Sequence, residues 1–199
     1  MQEINKELLQ YLNWLTQYKF IDNFVKIFVD APIFIIPVFL LWFWIYYSFS
    51  EKNKQDLVEK KQNLIFIFYW VVFWIVISLI IQQFINIERP EQHLKAGAKL
   101  LLDHLPDASF PSDHATVSIA FLTWVFLAGY KKLFWLFLIF FVAMNLSRII
   151  AWVHWPFDIL AWSFVWVFAS YIVFRYFSKI KLVKNINLKI IKLLNYIKL

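Results

Sequence analysis

Long runs of apolar side chains, separated by short polar or lysine-rich stretches, dominate the pattern along this chain. A helix of about 20 mostly apolar residues is long enough to cross the hydrocarbon core of a bilayer. Five segments are therefore predicted to span a membrane: Ala31–Phe49, Leu64–Ile87, Ala115–Ala128, Leu133–Val153 and Ile159–Phe177. The third segment is the shortest, and we expect it to extend into the loop residues beside it.

The residues before the first span follow a different pattern. Apolar residues recur there at helical spacing, at Ile4, Leu8, Leu12 and Leu15. Polar residues occupy other positions around the wheel: Lys6, Gln10, Asn13 and Gln17. We predict that residues 1–30 include an amphipathic helix lying in the membrane interface; a short soluble helix packed on the spans is the alternative. Early charges such as Glu3 argue against a cleavable signal peptide.

The last 22 residues, 178–199, form a basic tail. Ile, Leu and Val alternate there with lysines, and the segment contains no acidic residue. This pattern predicts an amphipathic tail that lies against anionic headgroups. A nucleic-acid partner is not expected, because the basic residues follow the membrane segments and form no separate domain.

Composition supports a membrane protein with a single domain, residues 1–199, whose helical bundle covers residues 31–177. The chain is 62% hydrophobic and has 23 Phe and 11 Trp among 199 residues, with a mean hydropathy of +0.62. A soluble protein of this size cannot bury so much apolar side chain. The predicted fold class is an all-α integral membrane protein. Because the chain has no Cys, disulfides and thiol nucleophiles are excluded.

The placement of lysines predicts the topology. One set of connections holds Lys52, Lys54, Lys60, Lys61, Lys131, Lys132 and the basic tail. The other set holds the N-terminal segment and the loops 88–114 and 153–158, which contain every His of the chain. Lysine-rich connections tend to stay in the cytoplasm. We therefore predict a multi-pass protein of the cell (inner) membrane, with the histidines facing the periplasm or the outside.

Three polar patches lie on the predicted outer side. They are Arg89-Pro90, then Pro111-Ser112-Asp113-His114, then Ser147-Arg148 followed by His154 and Asp158. Arg89 and Arg148 offer planar donor forks that match phosphate oxygens. Ser112 can donate its hydroxyl, and a helix starting there would aim free N–H groups at an anion. Ser112 or Asp113 serving only as a helix cap is the alternative.

The histidines of these patches predict the reaction. His154 and Asp158 are four residues apart, so the carboxylate is expected to reach one ring nitrogen and leave the other free to attack phosphorus. His114 is predicted to be the general acid that protonates the leaving oxygen. No metal and no other cofactor is expected. His93 and His104, with Asp103 and Asp107, could bind a metal, but their spacing matches no strong metal motif.

These patches resemble the three signature motifs of the type 2 phosphatidic acid phosphatase superfamily: Lys-x6-Arg-Pro, Pro-Ser-Gly-His and Ser-Arg-x5-His-x3-Asp. The third motif matches fully, whereas Asp113 replaces Gly in the second and Gln82 replaces Lys in the first. The PSDH variant is similar to the branch of bacterial undecaprenyl-diphosphate phosphatases. The resemblance implies a helical membrane bundle, metal-independent hydrolysis and a lipid phosphate substrate. It also adds Asp113 and Gln82 to the predicted phosphate-binding residues.

The leading hypothesis is hydrolysis of undecaprenyl diphosphate to undecaprenyl phosphate and phosphate through a phosphohistidine on His154. Alternatives with the same mechanism are a phosphatase of lipid A, phosphatidylglycerol phosphate or phosphatidate, and a lipid phosphotransferase. A non-catalytic membrane protein is less favoured, because the reacting groups are retained. Gln82 offers a hydrogen bond but no charge. We expect a preference for diphosphates, whose additional phosphate Lys95 or Lys99 could hold.

Overall fold

The computed structural model describes residues 2–85, 87–93, 99, 101, 109–177 and 179–196. This part of the chain is helical and contains no strand. Its α-helices are α1 (Gln2–Trp14), α2 (Lys19–Phe28), α3 (Ile35–Ser50), α4 (Lys54–Phe84), α5 (Asp113–Leu127), α6 (Lys131–Ile150), α7 (Pro156–Phe177) and α8 (Lys181–Tyr196). Short 3-10 helices cover Leu15–Gln17, Ala31–Phe34 and Pro90–His93. The predicted all-α membrane fold is confirmed.

Four segments of the described chain are long and apolar enough to cross a membrane: Lys19–Ser50, Lys54–Phe84, Lys131–Ile150 and Pro156–Phe177. The first of them joins α2 to α3 through the 3-10 helix Ala31–Phe34, where a proline occupies an early position. Four of the five predicted spans therefore correspond to such segments. The third predicted span corresponds to α5, which has only 15 residues.

The short helix α5 is the centre of the bundle and packs against α4, α6 and α7. Most of its side chains are buried, including those of Phe121 and Trp124. Small residues such as Ala115, Ser118 and Ala120 let neighbouring helices approach closely. Because other helices surround α5, its length does not have to match the hydrocarbon thickness.

The N-terminal helices pack across one end of the bundle. Leu9 of α1 clusters with Trp152 and Ile159, and Val25 of α2 clusters with Val153. The predicted apolar face of α1 is divided: Ile4 and Leu8 are exposed, whereas Leu12 packs against both of these clusters. The N-terminal helices therefore pack against the bundle through part of their apolar surface.

The position of Asn13 differs from the prediction for α1. The sequence pattern places Asn13 among the polar residues of the wheel, but its side chain is buried in the structure. Its amide donates to the carbonyls of Lys99 at 3.0 Å and Ile150 at 2.8 Å. Asn13 therefore faces the bundle because hydrogen bonds satisfy its amide there.

The helix α8 of the basic tail lies at the opposite end of the bundle from α1. It packs against α4, where Lys61 Nζ donates to Asn195 Oδ1 at 2.9 Å. At the same end, the hydroxyls of Tyr47 and Tyr130 are 3.1 Å apart. The connections that carry the lysine-rich set thus share one end, as the topology prediction requires.

Candidate active site

The three sequence patches meet at the end of the bundle that α1 and α2 cover. Arg148, in the last turn of α6, lies beside His114, in the first turn of α5. Their side chains approach to 3.2 Å between Nη1 and Nε2. His154 follows α6, and Asp158 lies in the first turn of α7. The first patch joins them through Arg89, which contacts Val153 across 64 positions of the sequence.

Arg148 and His114 share one acceptor, the carboxylate of Asp30. Arg148 Nη1 donates to Asp30 Oδ1 at 2.6 Å, and His114 Nε2 lies 3.0 Å from the same oxygen. A carboxylate only accepts, so His114 donates to this oxygen when its Nε2 carries a proton. The side chain of Arg148 is 3% exposed, whereas that of Asp30 is 46% exposed. An acceptor oxygen thus lies between the two predicted phosphate-handling groups.

Arg148 retains further donor capacity. Its Nη1 also lies 3.4 Å from the carbonyl of Val29. Its buried Nε has no hydrogen-bond partner in the described part of the chain, and the same is true of Ser147 Oγ. Buried donors normally find an acceptor. The Arg148 Nε is therefore suited to donate to an additional oxygen of a phosphate.

His154 is held by a main-chain carbonyl. Its Nδ1 lies 2.8 Å from the carbonyl oxygen of Ser109. Since a carbonyl only accepts, Nδ1 carries the ring proton and Nε2 carries the free lone pair of the neutral imidazole. Asp158 acts one step away, because its Oδ2 accepts the Ser109 hydroxyl at 3.0 Å. The prediction of a direct bond from Asp158 to His154 was wrong: Ser109 stands between them.

The environment of His154 favours the neutral ring. The side chain is 1% exposed, and this burial lowers its pKa well below the usual 6.5. The positive charges of Arg148 and Arg89 lower the pKa further. A neutral imidazole with a lone pair on Nε2 is the form that attacks an electrophile.

A left-handed residue directs the chain into this position. Trp152 has φ +65°, and the N–H of Val153 bonds to the carbonyl of Arg148 at 3.0 Å. This is a Schellman ending of α6, in which glycine is the usual left-handed residue. A non-glycine residue there costs about 1 to 2 kcal/mol. Burial of the Trp152 ring against Leu9 and Ile159 offsets that strain.

The second patch begins α5 as the capping alternative predicted. Ser112 is the N-cap, and its Oγ accepts the N–H of Ala115 at 3.4 Å. Asp113 Oδ1 accepts from Ser78 at 2.6 Å and from Gln82 at 3.0 Å. Gln82 also donates to the carbonyl of Pro111 at 2.9 Å. The two positions that depart from the family motifs thus contact each other, and their contact with a phosphate stays a prediction.

The remaining predicted groups are Arg89, Lys99 and Lys95. Arg89 is buried, and its Nη1 donates to the carbonyl of Val153 at 3.3 Å, one residue before His154. Lys99 Nζ pairs with Asp22 at 2.6 Å rather than with the site. Lys95 lies outside the described residues.

Sequence reasoning missed Asp30, Ser109 and Ser78. Asp30 carried a signal, because it is an acidic residue at the junction of two apolar helices. Ser109 acts through its main chain as well as its hydroxyl, and no residue pattern reports a carbonyl contact. Ser78 lies within a predicted span and is recognisable only through its partner Asp113.

The described residues contain no group of three or more His, Asp or Glu side chains that could hold a metal ion. The alternative metal ligands His104, Asp103 and Asp107, and the side chain of His93, lie outside the described part of the structure. The predicted independence from metals therefore stays a prediction.

Two curated proteins are similar to this chain along most of its length. Bacitracin transport permease protein BcrC of Bacillus licheniformis is 25% identical over 177 residues, 86% of this chain and 80% of that protein. Undecaprenyl-diphosphatase BcrC of Bacillus subtilis (strain 168) is 23% identical over 176 residues, 87% of this chain and 84% of that protein. No family model and no solved structure matches the chain.

Proposed function

We propose that this protein hydrolyses a membrane lipid diphosphate, undecaprenyl diphosphate in the first place, through a phosphohistidine on His154. The observation that carries the proposal is the fixed tautomer of His154, whose Nδ1 is bound to the Ser109 carbonyl at 2.8 Å. Burial and the positive charges of Arg148 and Arg89 lower the pKa of the same ring and favour its neutral form. The name of the Bacillus subtilis relative, undecaprenyl-diphosphatase, supports the choice of substrate.

The reaction has two balanced steps. In the first, His154 Nε2 forms a bond to the terminal phosphorus, and the bridging P–O bond breaks. The leaving lipid phosphate takes the Nε2 proton of His114, which enters this step as the imidazolium and leaves it as the neutral ring. In the second step, water attacks the phosphohistidine and gives a proton back to His114. Phosphate leaves, and His154 regains its lone pair.

Charge stabilisation is assigned to Arg148 and Arg89. The donor forks of these residues suit the phosphoryl oxygens, on which negative charge is spread in the transition state. The unpaired Nε of Arg148 in the described structure supports this role. Ser112 begins α5 at the same end, where the free N–H groups of a helix N-terminus favour an anion.

The runner-up hypotheses share the site and differ in what enters it. Another lipid phosphate, or a lipid acceptor in place of water, is compatible with the same residues. The name of the Bacillus licheniformis relative indicates transport. A transport or purely structural role gives no reason for a buried, oriented His154 beside two arginines, so the enzyme is preferred.

The test is release of inorganic phosphate by purified protein in detergent with excess EDTA. Undecaprenyl diphosphate is compared with undecaprenyl phosphate, phosphatidate and phosphatidylglycerol phosphate. We expect turnover that is fastest on the diphosphate and absent in His154→Ala. Because His154 is buried, the melting temperature and gel-filtration profile of that variant are measured to show that it is folded. Failure on every lipid would refute the proposal, and turnover by His154→Ala would refute the phosphohistidine.

The proposed location of the reaction is the outer face of the cell membrane. The lysine-rich connections and α8 share one end of the bundle, and the site occupies the other. Because lysine-rich ends stay cytoplasmic, the site would meet lipid headgroups of the outer leaflet.

A further inference from the structure

Asp30 contacts two of the predicted site residues through a single carboxylate oxygen. One of its carboxylate oxygens, Oδ1, accepts from Arg148 at 2.6 Å and lies 3.0 Å from His114 Nε2. These are the groups to which the proposed function assigns phosphate binding and proton donation. A carboxylate oxygen and a phosphoryl oxygen are both anionic acceptors and suit the same donors.

The position of Asp30 in the chain allows its side chain to leave. Asp30 lies between α2 and the 3-10 helix Ala31–Phe34, outside either helix. Its carboxylate is 46% exposed, although Arg148 beneath it is 3% exposed. Rotation of the Asp30 side chain would remove its carboxylate oxygen from Arg148 Nη1. An exposed carboxylate also recovers hydration when it leaves, which limits the cost of release.

We propose that Asp30 is an internal ligand of the phosphate site, which the substrate displaces and which returns to expel the product. This inference rests on the proposed function for its biological meaning, but the competition itself requires only an anion. In the absence of substrate, Asp30 neutralises the buried Arg148. When phosphate is bound, the Asp30 carboxylate and the phosphate repel each other. Asp30 thus weakens binding of inorganic phosphate and favours its release.

Removing the charge of Asp30 gives a distinctive pair of effects. In Asp30→Asn, inorganic phosphate should bind roughly tenfold more tightly, because a competing half-exposed charge a few ångströms away is lost. The same variant should melt at a lower temperature without phosphate, because Arg148 has lost its counter-charge. Added phosphate should restore its melting temperature by more than it raises that of the unaltered protein.

The experiment measures melting temperature in detergent against inorganic phosphate concentration, together with the inhibition constant of phosphate in the hydrolysis assay. Asp30→Glu keeps the charge and should bind phosphate within about twofold of the unaltered protein. Asp56→Asn is the matched control, since it removes an exposed carboxylate in the first turn of α4 at the opposite end. It should leave phosphate affinity unchanged.

The outcomes separate this inference from the proposed function. Unchanged or weaker phosphate binding in Asp30→Asn overturns the inference, even if the unaltered protein hydrolyses lipid diphosphates. Tighter binding supports it, even if no lipid is hydrolysed, in which case the proposed function alone fails. If Asp30→Asn is too unstable to purify, phosphate present throughout purification should rescue it, and failure of that rescue counts against the inference.

Discussion

Replacing Ser109 with Ala removes one hydroxyl and leaves the main chain in place. In the structure, that hydroxyl donates to Asp158 Oδ2 at 3.0 Å, while the carbonyl of the same residue accepts from His154 Nδ1 at 2.8 Å. The Ser109→Ala variant would keep the carbonyl but lose the tether that fixes it to α7. The carbonyl would then orient the imidazole of His154 less strictly, and fewer encounters would place Nε2 in line with phosphorus.

The size of the effect follows from the bond that is lost. A hydrogen bond to a charged group contributes about 1.5 to 3 kcal/mol. If all of it acts on the transition state, kcat falls about 10- to 150-fold. Asp158→Ala removes the same bond and leaves the Ser109 hydroxyl without its acceptor, so it should cost at least as much. The double variant should be no slower than Asp158→Ala alone, because both changes break one bond.

The assay is steady-state phosphate release from undecaprenyl diphosphate for the two single variants, the double variant and the unaltered protein. Melting temperature and gel-filtration profile show whether each variant remains folded. Effects that multiply in the double variant would show that Ser109 and Asp158 act separately. A Ser109→Ala variant with normal kcat, beside an impaired Asp158→Ala, would indicate direct contact between Asp158 and His154 and refute the relay through Ser109.

Three further predictions concern pH, topology and the altered motif positions. Because the pKa of His154 is lowered well below 6.5, the unfolded state binds a proton near pH 6 that the folded state does not. The free energy of unfolding should therefore fall below pH 6.5, by up to about 1.4 kcal/mol per pH unit more than that of His154→Asn. The same dependence of melting temperature on pH in both proteins would contradict this. In the cysteine-free chain, a cysteine replacing Glu88 should react with an impermeant thiol reagent in intact cells and one replacing Lys52 should not; the reverse labelling would overturn the topology. Gln82→Lys alone should change KM for a monophosphate lipid by less than about twofold, because the new ammonium pairs with Asp113. The double variant Gln82→Lys, Asp113→Gly should lower that KM by about tenfold. If the single change lowered KM as much as the double change, Asp113 would not neutralise the lysine.

Local pattern predicted much of the fold at the level of individual elements. Four predicted spans match long apolar helices because a bilayer accepts only long apolar runs whose backbone groups bond internally. The start of α5 at Asp113 was also accessible, since Ser112 is a strong N-cap residue that comes directly before it. Span ends were less well predicted. Helix α4 begins at Lys54 rather than Leu64, because hydropathy marks the membrane-embedded part of a helix and not its polar extension.

The residues of the candidate site could also be predicted from the sequence only in part. Residue types and spacing identified Arg148, His154 and His114 as a group, because the ends of alternating spans lie on one side of the membrane. Spacing also suggested that Asp158 would touch His154, as two residues four apart do on a helix. The chain is not helical between Trp152 and Pro156. The turn there leaves room for Ser109, which comes from a different loop.

The sequence by itself determined the class of the fold, the number of apolar segments and the residue types available at the candidate site, since each depends on local composition and order. Only the tertiary structure decided which side chains and main-chain groups contact each other. Asp30 meets Arg148 across 118 positions, Ser109 meets His154 across 45, and Gln82 meets Asp113 across 31. Such contacts depend on the relative rotation and depth of packed helices. Those are set by the fit of many side chains at once, and no single stretch of sequence contains them.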